Sequence, residues 1–261
     1  MKFVKVLPML MVAGMSLVAC GTSGDSESIK KTGFLNVGIT FYEPMDYLDE
    51  DGETITGFDA ELANSFAASI GVATRFIVIK WDSKVLELNS KKIDVIWNGM
   101  TITDELKNNI DLTIPYATNY QCVVTKASNL NDYTTADSIL NKNVAVELGS
   151  AGEDAADGVT NLNKVTSQEA ALLEVKAGTS DCAIIDVTMA NSVVGKGDFA
   201  DLATVSADAI AFEKEDFGVG VRKNSDLTVK LNNFFKESYK SGVLAELSKK
   251  YNVAISDSTL K

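Results

Sequence analysis

Three short stretches of this chain carry residue types that hold small polar molecules. The first is Asn98-Gly99-Met100-Thr101-Ile102-Thr103, which follows the apolar run Ile93 to Trp97. Such a run suits a strand covered on both faces. The Asn98-Gly99 pair breaks it, and Thr103 is placed to cap a helix whose first turn holds Asp104 and Glu105. A strand's carboxyl end would then open onto hydroxyls, a glycine and a helix N-terminus. In open α/β sheets small ligands bind at such ends. The second stretch is Gly149-Ser150-Ala151-Gly152-Glu153, after the strand-like VAVEL. Ser150 and Glu153 have the spacing of a capping box, which leaves the amides of Ala151 and Gly152 unused and open to a carboxylate. The third is Asp186, at the end of the apolar run Cys182 to Ile185. It reads as an N-cap for a helix over 187–194, and it stands at a strand's carboxyl end like the first stretch.

Other chemistries are limited by composition. The chain has no histidine and no Cys-x-x-Cys, so zinc sites and histidine-based triads have no material. No cofactor is expected. The formal charge of −12 disfavours nucleic acid and anionic membrane surfaces as partners. Cys122 and Cys182 each lie in an apolar run, which favours buried free thiols over a disulfide.

Residues 1–19 read as an export signal. Lys2 and Lys5 form its positive region, and the apolar run over 6–18 is short for a bilayer span. Residues 21–32, GTSGDSESIKKT, are small and polar and predict a flexible tether. The whole chain, at 261 residues and 46% hydrophobic, suffices for one large domain or two ordinary ones.

The elements alternate as in an α/β fold. A strand over 34–39 precedes a helix over 59–70, with Asp59 as its cap and Leu62, Phe66 and Ile70 on one face. A strand over 75–79, a short helix over 83–90 and the strand over 93–97 follow. Val85, Leu86 and Leu88 are the candidates for the buried side of the short helix. The order β-α-β-α-β predicts a doubly wound parallel sheet. A second α/β series runs from Gln121 to about 212. The chain ends in two helices, with Leu227, Leu231, Phe234 and Phe235 on one buried face and Leu244, Leu247 and Tyr251 on the other.

The stretch from Trp81 to Glu105, WDSKVLELNSKKIDVIWNGMTITDE, closely resembles a motif of the amino-acid-binding solute-binding proteins of ABC transporters, solute-binding protein family 3. VGITFYEPMDYLDEDGETITGFDAELA and DLTIPYATNYQ resemble two further segments of that family, and the likeness covers roughly 33–253. It implies a two-lobed, type II periplasmic-binding-protein-like fold of two doubly wound sheets joined by two hinge connections. One lobe would take 33–116 and 217–261, the other 121–212. Leu17-Val18-Ala19-Cys20 resembles a bacterial lipobox, which implies cleavage before Cys20, lipidation of its thiol and attachment to the outer face of the cell membrane. The resemblance also implies site roles. Tyr42 and Trp81 would sandwich the solute, with Phe41 as the competitor for the first place. Gly99 and Thr101 would contact its amino and carboxylate groups, Ser150 and Ala151 its carboxylate, and Asp186 its ammonium.

One position departs from the family. Leu106 stands where relatives carry an arginine that clamps a carboxylate. The chain's two arginines, Arg75 and Arg222, lack motif support for the cleft, and Lys107 is the nearest replacement cation. The expectation is a membrane-tethered monomeric receptor, not an enzyme, that binds an amino acid or related amine and presents it to an ABC permease. The alternatives are an enzyme similar to cyclohexadienyl dehydratase, with Glu43, Asp46 or Glu215 as its acid, and a sensory lipoprotein.

Overall fold

The structure is a computed structural model that describes residues 24–260. The export segment and Cys20 lie outside the described residues. The chain enters through helix α1 (Asp25–Thr32), where a flexible tether is expected. That expectation is corrected over 25–32. Acids open the helix, lysines close it, Gly33 ends it at φ 77° and Ile29 is buried. Partners late in the chain hold it: Arg222 pairs with Asp25, and Asp226 accepts from the Ser26 amide. Composition shows the polar residues but not the distant groups they meet.

The first sheet begins with β1 (Phe34–Ile39), followed by the short hairpin β2 (Tyr47–Leu48) and β3 (Ile55–Thr56). Helix α2 (Phe58–Ser69) is preceded by Gly57, not capped by Asp59. Next come β4 (Ala73–Val78), a 3-10 turn at Trp81–Ser83, α3 (Lys84–Asn89) and β5 (Val95–Ile96). Leu88 of α3 is buried, whereas Leu86 is 71% exposed and leaves the expected apolar face. Helix α4 (Asp104–Asn109) is capped by Thr103, which accepts from the Leu106 amide. Strand β6 (Asp111–Leu112) completes this part.

The long strand β7 (Ala117–Lys126) carries the chain into the second sheet. There β8 (Asn143–Glu147), α5 (Ala151–Asp154), β9 (Asn161–Val165), α6 (Gln168–Ala177), β10 (Cys182–Asp186), α7 (Val187–Val193) and β11 (Leu202–Thr204) follow. Strand β12 (Lys214–Phe217) returns antiparallel to β7, so the two crossing strands pair with each other. Then β13 (Gly220–Val221), α8 (Leu227–Lys240), α9 (Val243–Tyr251) and α10 (Asp257–Leu260) end the described chain.

Both sheets are mixed. The first has strand order β4-β1-β5-β13-β6, and the second β11-β7-β10-β8-β9. Strand β1 is parallel to β4 and β5, as the alternating pattern predicts, and the returning β13 is antiparallel to β5 and β6. The C-terminal helices pack back on the first sheet. Trp97 sits among Phe66, Tyr116, Phe234 and Phe235, with the Tyr116 and Phe235 rings stacked at 4.8 Å. Large aromatic areas buried this way hold the strand ends that precede Gly99. Cys122 and Cys182 are buried free thiols.

Candidate functional site

Strand ends from both sheets meet around one enclosed cavity. Its lining includes Tyr42, Trp81, Gly99 and Thr101 from the first sheet, and Glu147, Ser150, Ala151, Gln168 and Asp186 from the second. All seven positions picked from the sequence therefore come together. The enclosed part is narrow, about 20 Å³. Trp81, Thr101, Ser150 and Ala151 also border an open cleft of about 320 Å³, shared with Lys84 and Leu106.

The first-sheet wall is held from behind. Gly99 has φ 55°, and a Cβ there would lie 2.8 Å from the Tyr42 ring, so the ring closes against bare backbone. Asp59 accepts from the Gly99 amide at 2.7 Å and from Tyr116 Oη at 2.8 Å. This explains why Asp59 is no helix cap. Burial raises its carboxyl, which these two donors oppose. Asn98 ties the ends of β1 and β5: its Oδ1 accepts from the Thr40 amide and hydroxyl, and its Nδ2 donates to the Thr40 carbonyl. Tyr42 is 3% exposed and Phe41 37%, which decides between them: Tyr42 lines the enclosed cavity. Tyr42 Oη is buried without an acceptor in hydrogen-bond geometry, and burial together with nearby Asp186 raises its pKa well above the phenol's usual value.

Asp186 is 5% exposed and held by side-chain amides. Asn119 and Gln121 donate to Oδ1 at 2.5 and 2.7 Å, and Gln168 donates to Oδ2 at 2.5 Å. Its side chain does not cap α7. Burial pushes its carboxyl up to about 6, and the amide donors restrain that rise. Asn119 and Gln121 also donate to Glu215 on β12, which accepts from Thr101 Oγ1 at 2.9 Å. The crossing strands thus carry a polar frame from Asp186 to Thr101. Of this frame the sequence offered Gln121 only as part of a resembling segment. Asn119, Gln168 and Glu215 carried no local signal for it.

The helix start at 150–153 differs from the expected capping box in one bond. Ser150 Oγ accepts from the Glu153 amide, but Glu153 Oε2 accepts from the Gly149 amide. Ala151 and Gly152 supply the first two amides of α5, which its own hydrogen bonding cannot use.

The cation near Leu106 is Lys84. Its ammonium donates to the carbonyls of Trp81 at 3.3 Å and of Gly149 at 2.8 Å and sits 4.8 Å from the Trp81 ring centre. It therefore joins the two sheets at the cleft, and burial lowers its pKa. Lys107 instead pairs with Asp104 at the surface. Leu106 packs with Ile110 in the apolar cluster that includes Trp81 and Leu88. Neither arginine lines the enclosed cavity or the cleft: Arg75 covers the Phe34 ring, and Arg222 pairs with Asp25 and Asp94. Glu43, Asp46 and Glu215, the candidate acids of the enzymatic alternative, do not line the enclosed cavity.

A two-sheet molecule whose strand ends enclose a polar cavity between paired crossing strands is a two-lobed binding protein of the type II periplasmic kind. Residues 35–254 match the model of the bacterial extracellular solute-binding proteins, family 3, and the chain belongs to that family. It is 31% identical over 252 residues to the L-cystine-binding protein TcyJ of Escherichia coli K12, covering 94% of this chain and 92% of that one. Among solved structures, a mutant of ArgBP from T. maritima superposes with a TM-score of 0.80 at 31% identity, covering 87% of this chain and 98% of that chain. An ancestral amino acid-binding protein, a precursor of cyclohexadienyl dehydratase, superposes with a TM-score of 0.79 at 29% identity, covering 87% and 98%. These relatives are binding proteins, in line with a chain that binds rather than catalyses.

Proposed function

We propose that the chain is a receptor, tethered to the outer face of the membrane through Cys20, that closes its lobes on a small amine-bearing solute and delivers it to an ABC-transporter permease. An amino acid or a derivative fits this reading. The lobes would be 33–116 with 217–261, joined by α1, and 121–212. The strands at 117–121 and 214–217 would act as the hinge.

Asp186 carries the reading. It is a buried carboxylate in the cavity wall, oriented by three amide donors. A buried carboxylate of this kind suits an ammonium, because a charge-assisted hydrogen bond returns what desolvation costs. Trp81 and Tyr42 would bracket the solute. Thr101 and the amides at 151 and 152 would meet its polar groups. Lys84 is placed to face a carboxylate where the family arginine is missing. The ligands named for the relatives, cystine and arginine, both bear amines.

The narrow enclosed volume requires the lobes to part before a solute enters. Small-angle scattering with L-amino acids is the test. A ligand at 100 times its dissociation constant also stabilises by about 2.7 kcal/mol, which a thermal-shift screen detects. Compaction with that ligand is expected. An unchanged radius of gyration at saturation would contradict closure.

A further inference from the structure

Glu147 ends β8 and lines the same enclosed cavity as Asp186. The sequence passes over it, because it follows an apolar strand and precedes the glycine turn without marking a motif. It is 3% exposed, and its Oε1 is buried with no hydrogen-bond partner among the described residues. The polar frame that holds Asp186 and Glu215 does not reach it. Lys84 lies close enough to be felt electrostatically, but its ammonium bonds to two carbonyls and makes no ion pair with Glu147. The enclosed lining therefore holds two carboxylates and no basic side chain. A carboxylate left unpaired in such a place is costly unless a partner of opposite charge arrives.

We propose that the solute carries two cationic centres, and that Glu147 receives the second while Asp186 receives the first. The inference rests on the amine-directed reading above and deepens it. Two positive charges balance two buried carboxylates. A single ammonium at Asp186 would leave Glu147 buried in its protonated form, without a partner. Leu106 imposes no need for a carboxylate on the solute, so dibasic amino acids and plain diamines share the required chemistry. Burial and Asp186 push the Glu147 carboxyl up to about 8. A cation arriving beside it favours the ionised form, and the proton leaves to solvent.

The test is titration calorimetry at pH 7 of the parent and Glu147→Gln. The probes are L-lysine and 1,5-diaminopentane, each paired with its single-cation counterpart, L-norleucine and 1-aminopentane, beside the other standard amino acids. In the parent, at least one dication should bind tenfold or more tighter than its counterpart. Glu147→Gln should reduce that ratio at least tenfold while single-cation binding persists. Two buffers of different ionisation heat should show proton release for the parent and not for Glu147→Gln. A dication arm carried by lysine alone would identify a dibasic amino acid, and one carried equally by diaminopentane a diamine. Equal binding of dications and counterparts, or a ratio unchanged in Glu147→Gln, would overturn the proposal and leave the amine-directed reading standing. Binding of no amine in the panel would overturn both.

Discussion

The two walls of the cavity differ in kind. The first-sheet wall offers neutral groups: the rings of Tyr42 and Trp81, the Gly99 backbone and the Thr101 hydroxyl. Buried polar bonds at Asn98 and Asp59 fix it from behind. The second-sheet wall offers charge, in Glu147 and Asp186, beside a helix start. On the proposed reading, shape selection and charge selection fall to different lobes. If the lobes part as proposed, only the closed molecule would present both. Lys84 crosses between them, bonding the Gly149 carbonyl where a Cβ on Gly149 would lie 2.9 Å from Asp82 Cα.

Removing charge from the second wall should have the largest effect. Asp186→Ala should weaken solute binding by roughly 2–5 kcal/mol, the range for breaking a buried charge pair. Calorimetry reads this directly, and an unchanged affinity would move charge recognition elsewhere. Lys84→Met comes next, since it keeps the stem and removes the bond across the cleft. A loss of about 1.5–3 kcal/mol in solute binding is expected, as for a hydrogen bond to a charged group. Scattering should also show a looser liganded state. Leu106→Arg sharpens the contrast by adding charge to the neutral wall. It should tighten binding of carboxylate-bearing solutes about tenfold, as one added ionic hydrogen bond would. Their amides should gain nothing, and the two are compared by competition titration.

A separate effect is on ligand-free stability, where only pH is varied. Burial raises Asp186 to about 6 and Glu147 to about 8, above the ordinary range of unfolded carboxyl groups. Asp186 and Lys84 bear on Glu147 in opposite directions, and Glu215 adds to the rise at Asp186. The folded state therefore binds more protons than the unfolded state between the two sets of pKa values. The stability this contributes is fully present below the unfolded values and is lost as pH rises through about 6 and then about 8. Thermal melts without ligand should fall from pH 5 to pH 8. A rise would contradict it.

Much of this was legible in the sequence. The strand-turn-helix at 93–106 shows itself because apolar runs, Asn98-Gly99 and Thr103 are local signals, and Thr103 caps α4 as read. The parts that failed depend on distant partners. Asp59 resembles a helix cap until Gly99 and Tyr116 arrive from elsewhere in the chain. Residues 25–32 look solvated until Arg222 and Asp226 meet them. Lys107 is next to Leu106 in sequence, yet Lys84, one turn past Trp81, occupies the cleft. Glu147 escaped notice because burial, not spacing, makes it unusual.

The central claim is that the cavity selects for a positively charged amine. Its most direct measurement compares, by titration calorimetry, each amine that the protein binds with the same molecule bearing a hydroxyl in place of the α-ammonium. For diamines, both terminal ammonium groups are replaced. The account predicts that the hydroxyl analogue binds at least a hundredfold more weakly, because Asp186 would be left buried without its cation. Equal affinity for amine and hydroxyl analogue would contradict it.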